Sequence, residues 1–314
     1  MPDFTVRLFR RDDRDQLTDL VNAHVAATVP GLSVSVNTVL GQLTRDPGEF
    51  VVDPWVVERT TLVAEQRNRV VAAAHLLRYG SDTSVDPAYR NVGEISWLVY
   101  WPISPEGPTS RFMPDCTPPA EALLTACLAQ LARWRVTTRT AGGDLPAPTF
   151  CGVPDQWPHI ADLYERAGFR HTRTELLLLA DTADLPPLTP DVTLGMTVRR
   201  SVGINGTRLT ADQADGGEAG YVEIDTTIHD TGRFTRRADW ADIGNLHVTD
   251  PALPYEPTAT ALIAHAADWL RLARVDRLLA YAGPDPDDAV ELRLLTALGF
   301  RTLTRIRCGW VHRP

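Results

Sequence analysis

A chain of 314 residues with 44% apolar side chains is long for one compact domain and comfortable for two, with material for two cores. The formal net charge of −9 comes with acidic residues spread along the chain. That excludes a nucleic-acid surface, which needs a basic patch against phosphate. No apolar run reaches the length of a membrane span, and the opening MPDFTVRLFRRDD has no apolar segment after its charges, so a protein of the cytoplasm is expected. Every fixed positive side chain is Arg, and Cys116, Cys127, Cys151 and Cys308 lack metal-ligand spacing, so reduced structural thiols and no metal are expected.

In chain order, Phe4 to Phe9 alternates as a strand. Asp12 or Asp13 is placed to cap a helix through Leu17, Leu20, Val21 and Val25. A second helix is expected over Val36–Leu43. Thr60–Gln66 and Val70–Tyr79 form a hairpin around Arg67-Asn68-Arg69, followed by the strand Gly93–Trp101, GEISWLVYW. The proline-rich segment after Trp101, PISPEGPTSRFMPDCT, is either a lid or a surface insertion. Pro118–Arg135 reads as a helix, Thr137–Pro148 as a polar loop, and Phe150–Val153 as a short strand. A helix ending LYERAGF (Leu163–Phe169) and a last strand complete the set, the glycine being the usual helix stop. Ala180–Pro190, stiffened by proline, reads as a linker.

The order then repeats. From Met196, MTVRRSVGINGTRLTADQ reads as a hairpin turning at Asn205-Gly206 in preference to a glycine-rich phosphate loop, and the two helices of the first copy are missing. Ile243–Val248 is a strand, followed by a loop with three prolines. The next helix carries Leu262, Ile263, Ala266, Trp269 and Leu270 on one face. Leu278–Ala282 is the next strand, and LLTALGF (Leu294–Phe300) matches LYERAGF. Pairing Ala122-Leu123-Leu124 with Ala261-Leu262-Ile263 also pairs Glu94-Ile95 with Asp242-Ile243. A unit this long, seen twice, is two copies of one fold and not a solenoid. A strand entering a helix through such a loop aims backbone N–H groups at the loop, a geometry that suits a phosphate.

The LYERAGF segment, the strand-loop-helix units and the duplication resemble the GNAT acyltransferase superfamily over nearly the whole chain. The resemblance implies an α/β protein of two GNAT-like domains in tandem. Each would be a mixed, mostly antiparallel central sheet flanked by helices, and the second would lack the first two helices. The domains would span 1–182 and 193–314, with 183–192 as linker. It implies acetyl-CoA or another acyl-CoA as cofactor and a small-molecule partner, with no nucleic acid and no membrane.

By the same resemblance the cofactor would lie along Leu98, Val99 and Tyr100 or along Leu246 and Val248, with Thr258, Ala259 and Thr260 at the phosphates. The family's phosphate loop has Gln or Arg, two variable residues, Gly, one variable residue, then Gly or Ala. Here Asp115, Pro118 and Ala120 stand at those places in the first copy, and Pro254, Pro257 and Ala259 in the second, with Glu256 beside them. Pro118 and Pro119 each remove a donor, as do Pro254 and Pro257.

Glu94 and Asp242 match the family's base and Tyr164 its acid. The second copy has Leu295 at the tyrosine's place, and His247 is an alternative base. Each also has a plain structural reading, as an ion-paired carboxylate, a packed aromatic or a strand histidine. His24 and the turn Thr28–Gly31 lie on the expected acceptor wall, and Trp97 and Trp101 either line the cleft or fill the core. The implied function is transfer of an acetyl or other acyl group from a CoA thioester to an amine of a small molecule. The alternative is a GNAT fold that no longer uses CoA, either a small-molecule binding protein (natural product or antibiotic) or an enzyme of other chemistry.

Overall fold

The computed structural model describes residues 3–45, 55–101, 115–147, 151–193, 195–226, 240–283 and 289–313. They form two compact units: Met1–Thr174 with Ile306–Pro314, and Glu175–Arg305. The first boundary falls earlier than the expected linker at 183–192, and the end of the chain returns to unit 1. The expected lid or insertion after Trp101 lies mostly outside the described residues. Among the described residues no helix is long and apolar enough to cross a membrane.

Unit 1 opens with β1 (Phe4–Leu8), α1 (Arg14–Thr28) and α2 (Val36–Thr44). Leu17, Leu20, Val21 and Val25 recur at helical spacing and are fully buried. Asp13 does not cap α1 through its side chain. Its carboxylate instead accepts both Nη groups of Arg7 at 2.7 Å and the Arg10 amide at 2.7 Å, tying β1 to the helix start. Ser35 caps α2 by accepting the Thr38 amide. β2 (Val56–Gln66) and β3 (Arg69–Tyr79) are the expected hairpin, and Arg67 and Asn68 at φ 51° and 62° give the twist-compatible turn.

β4 (Val92–Tyr100) pairs antiparallel with β3, and α3 (Thr117–Arg133) leads over to β5 (Thr138–Ala141), which is parallel to β4. β5 corrects the reading of 137–148 as a loop throughout. Of the expected strand Phe150–Val153, Phe150 lies outside the described residues and Cys151 and Gly152 are not in a strand; β6 is Val153–Pro154, which pairs with Ile306 and Arg307. α4 (Pro158–Arg166) and β7 (Phe169–Arg170) follow. The sheet order is β1-β2-β3-β4-β5-β15-β7, with β15 (Trp310–His312) contributed by the chain's end.

In unit 2 the strands run β14-β8-β13-β12-β11-β10-β9. They are β8 (Arg173–Asp181), β9 (Thr197–Gly203), β10 (Gly206–Asp212), β11 (Glu218–Asp225), β12 (Trp240–Val248), β13 (Arg277–Ala282) and β14 (Arg301–Cys308). β9 connects directly to β10, and among the described residues the helices are α5 (Pro190–Thr193), α6 (Tyr255–Leu272) and α7 (Ala289–Ala297), so the two early helices are absent as expected. The proline-rich stretch after β8 is pinned, not free. Arg271 of α6 donates to the Thr182 and Leu185 carbonyls, and Leu185 is buried in the unit 2 core. That core sets Leu262, Ile263, Ala266 and Leu270 against Val222, Ile224, Leu278 and Ala280. Each large aliphatic there contributes roughly 1.5–3 kcal/mol on burial.

The copies agree residue by residue at one feature. Leu76 pairs with Ile95 and His75 with Trp97, leaving Ser96 as an extra residue; Ile224 pairs with Ile243 and Glu223 with Asn245, leaving Gly244. Both are β-bulges, and each lies where the parallel neighbour departs: the β4–β5 ladder ends at Ile95 and Ala141, and the β12–β13 ladder at Asp242 and Leu279.

The β9–β10 turn depends on Gly206, at φ +98°, where an added Cβ would collide with the Ile224 carbonyl. Gly216, at φ +90°, has open space around it. Gly206→Ala is therefore expected to cost clearly more than Gly216→Ala, which carries only the left-handed strain of roughly 1–2 kcal/mol. Urea unfolding of both variants checks this, and equal losses would show that the Ile224 contact relaxes at no cost.

Candidate active site

The two bulges open their strands in different states. In unit 1 the diverging edge is covered: Trp97, Leu98, Val99 and Tyr100 are at most 2% exposed, backbone included. The Gly142 and Asp144 amides donate to the Ile95 and Ser96 carbonyls at 2.9 Å, so the chain after β5 stays on the bulge. Tyr164, 0% exposed, donates its hydroxyl to the Gly142 carbonyl at 3.1 Å, with the Leu98 amide on its other side. Burial holds this phenol well above its usual range. It packs against Phe169 and Trp310 with ring centroids at 5.4 and 5.6 Å. Leu98, Val99 and Tyr100, expected along the cofactor, are thus core residues here, and Tyr164 closes the gap between the strands.

The expected acceptor wall is also core. The His24 Nδ1 lies 2.8 Å from the Leu20 carbonyl and so must carry its proton, leaving Nε2 to accept from His159 Nε2 at 3.3 Å. Trp157 Nε1 donates to the His24 carbonyl, and the Tyr100 hydroxyl to that of His159. Burial pushes the His24 imidazole down to about 3 and the His159 imidazole to about 4, so both are neutral packing groups. Trp97 stacks on His75 and donates to Gln42 Oε1 at 2.8 Å, and Trp101 is half-buried, with its amide on the Val71 carbonyl. A groove of about 290 Å³ lies between α3 and α4, lined by Leu124, Leu128, Leu163 and Ala167 and crossed by the Arg166–Glu121 ion pair at 3.2 Å.

Glu94 sits at the foot of the unit 1 bulge and accepts the Tyr79 hydroxyl at 2.6 Å. Burial, and then the Glu94 charge, hold Asp144 well above the carboxylate range, so this pair resists carrying two charges. Neither Asp144 nor Tyr79 was singled out from the sequence, because partners 15 and 50 positions from Glu94 leave no local pattern.

A CoA pyrophosphate is held by free amides at a helix start. At α3 the Thr117 amide donates to Asp115 Oδ1 at 2.9 Å, Pro118 and Pro119 have no N–H, and the Ala120 amide bonds the Cys116 carbonyl. Cys116, the N-cap, is itself 2% exposed. Among the described residues, the start of α3 does not fit the group.

Unit 2 differs. Gly244 and His247 are exposed, and Asn245, Leu246 and Val248 half-buried, where the matching unit 1 residues are buried. Asp242 lies at the foot of this bulge, directly across from Asp225. Burial and then the Asp225 charge push the Asp242 carboxyl up to about 7. By strand register Tyr221, His247 and Asn245 share its face, as does Tyr281, two residues beyond Leu279 on β13. Tyr221 and His247 rings are 5.5 Å apart, and Asn245 Nδ2 donates to the Tyr221 hydroxyl. Leu295, at the tyrosine's place, is 1% exposed.

At α6, Pro254 is the N-cap and Pro257 the third helical residue, so the amides of Tyr255 and Glu256 remain, with no hydrogen bond among the described residues. Thr258, Ala259 and Thr260, expected at the phosphates, stand a turn inside the helix. The Thr258 amide and hydroxyl go to the Pro254 carbonyl and the Thr260 hydroxyl to that of Glu256, while Ala259 is 0% exposed. Unit 2 thus offers an open strand edge and two of the usual amides, beside the Glu256 carboxylate.

The neutral His24 has a consequence for stability. The folded protein keeps its imidazole unprotonated to about pH 3, whereas the unfolded chain binds a proton near 6.5. The unfolded state therefore holds more protons in that window, and stability falls as pH drops below about 6.5, by at most ~1.4 kcal/mol per pH unit from this side chain. Denaturant melts at several pH values should show His24→Gln weakening that dependence, and an unaltered slope would place the histidine's proton in the native state.

No protein-family model and no curated protein matches the sequence. Solved structures do match along its whole length. A tandem GNAT protein from the clavulanic acid biosynthesis pathway superposes with a TM-score of 0.66 at 15% identity, over 98% of both chains. A GCN5-related N-acetyltransferase from Sphaerobacter thermophilus gives 0.58 at 15%, over 99% of this chain and 95% of that one. The glucosamine N-acetyltransferase region of a fungal multi-domain β-N-acetylglucosaminidase gives 0.63 at 14%, over 98% of this chain and 38% of that one. With the duplicated bulges and the sheet orders above, the chain has the tandem GNAT fold.

Proposed function

We propose that the chain transfers an acyl group from a CoA thioester to an amine of a small molecule, and that the reaction belongs to unit 2. The observation that carries this reading is Asp242, a carboxyl brought up to about 7 at the opening between β12 and β13. An ammonium must lose its proton before it attacks, and a base with a pKa near the working pH is the efficient one. Asp242 takes that proton, with Asp225 holding it basic through like charge. The backbone of Leu246–Val248 would hold the pantetheine amides, and the Tyr255 and Glu256 amides the pyrophosphate. When bound, the coenzyme supplies an activated acyl carbon and a thiolate leaving group. Tyr281, on the same face as Asp242, is a phenol for the leaving group where Leu295 offers none. Unit 1, with Tyr164 across its own opening, braces the fold, and Glu94 stays an internal carboxylate.

A second reading is favoured by Pro254, Pro257 and Glu256: a GNAT fold that binds a small molecule without CoA. Two missing donors at roughly 1.5–3 kcal/mol each lower coenzyme affinity by about a hundredfold or more. Titration calorimetry separates the readings. Acetyl-CoA binding at one site per chain, unaffected by Tyr164→Phe and weakened by Glu256→Pro, supports transfer in unit 2. No heat at millimolar coenzyme leaves the second reading. With an amine acceptor in hand, kcat/KM should rise with pH through about 7, and Asp242→Asn should remove that limb and lower the rate by roughly 10²–10⁴. A limb that survives the substitution would assign the base elsewhere.

A further inference from the structure

We propose that Cys151 and Cys308 form a reversible disulfide that fastens the end of the chain into unit 1. Both residues belong to that unit. Their sulfurs lie 3.9 Å apart, although 157 positions separate them in sequence. The approach is built by strand pairing: Pro154 faces Ile306 and Val153 faces Arg307, so the next step of the register sets Gly152 against Cys308. A Cβ on Gly152 would come within 2.8 Å of the Cys308 sulfur, and an extra side chain at that place would hold Cys151 and Cys308 apart. Cys308 is 1% exposed and Cys151 half-buried, so one thiol is reachable from solvent and the other waits behind it. A sulfur–sulfur bond is about 2.05 Å long, so the two sulfurs, now at 3.9 Å, have less than about 2 Å still to close. The other two cysteines are poor competitors, since burial pushes the Cys116 thiol up to about 11 and the fully buried Cys127 thiol higher still.

The chemistry balances with a small-molecule disulfide such as oxidised glutathione. The Cys151 thiolate attacks one of its sulfurs and expels a glutathione thiolate, leaving a mixed disulfide. The Cys308 thiolate then attacks Cys151 Sγ and expels the second glutathione. Two protein thiols are oxidised, one external disulfide is reduced, and two protons pass to solvent and the released thiols.

The bond bears on the sheet because Cys308 is followed at once by Gly309 and β15. In β15, Trp310 and Val311 pair with Ala141 and Thr140, and Val311 and His312 with Arg170 and Phe169. Trp310 also packs on Tyr164. Oxidation therefore anchors the one strand that must return to this sheet from the far end of the chain, and removes much of the unfolded chain's freedom by closing a very long loop.

The native protein is incubated with oxidised glutathione and analysed by mass spectrometry without reduction. The expected product is lighter by two hydrogens and yields a cross-linked Cys151–Cys308 peptide. Its Tm rises by several degrees, amide exchange over Trp310–His312 slows, and dithiothreitol reverses both. Cys151→Ser abolishes all three effects. A glutathione adduct that persists on Cys151, a cross-link joining other cysteines, or an unchanged thiol count each overturns the proposal. Cys308→Ser separates a failed ring closure from a failed first attack, since it should accumulate the Cys151 adduct.

Discussion

One extra residue in a strand governs this molecule. At Ser96 and again at Gly244 a bulge turns the strand away from its parallel neighbour, so backbone N–H and C=O groups that a continuous ladder would pair lose their partners. Those groups must be satisfied from somewhere. A ligand between the strands is one solution, water another, and the protein's own side chains a third. Everything distinctive about the two units follows from which solution each has taken.

Unit 1 satisfies the opening internally. The Gly142 and Asp144 amides take the bulge carbonyls, and Tyr164 spans the gap beneath Trp310 and Phe169. The histidine pair and the Trp157 and Tyr100 hydrogen bonds then fix α1 and α4 around it. A site so closed gains rigidity and loses room. Unit 2 has no helices of its own between β9 and β10. The face bearing Asp242, Asn245 and His247 is accordingly polar, and its amide turn at β9–β10 is held instead by Glu223, which accepts the Ile204 and Asn205 amides and pairs with Arg208 at 2.7 Å. The same fold thus supports a packed body in one copy and a carboxyl of raised pKa at an open edge in the other.

Much of this was legible in the chain. Pairing Glu94-Ile95 with Asp242-Ile243 also aligns Ser96 with Gly244, because strand patterns and glycine stops are local signals. The turn at Arg67-Asn68 was legible for the same reason. β5 was not: Thr138–Ala141 is three polar residues and an alanine, half-exposed, and alternation cannot be seen in four positions. Nor was the closure of unit 1. Tyr164 in LYERAGF reads equally as an acid or as packing, and its contacts with the distant Gly142 and Trp310 join residues that no window of sequence brings together. Thr258 reads in the sequence like a ligand residue, whereas in the fold its amide and hydroxyl both go to the Pro254 carbonyl, a partner the sequence does not announce.

The strand exchange explains why a closed first copy would persist. β15, from the end of the second copy, sits between β5 and β7, while β8, from the end of the first, sits beside β13. Each sheet therefore contains a strand encoded by the other copy, and neither copy's contiguous sequence can complete its own sheet. β8, encoded at the end of the first copy, lies mostly within unit 2, and its Leu178 and Ala180 stand in the core beneath the sheet that carries Asp242. A first copy with a closed opening is then still needed to complete the sheet of the second. Selection on unit 1 would then act on packing, which tolerates prolines at a helix start, where the missing N–H would go unpaired anyway.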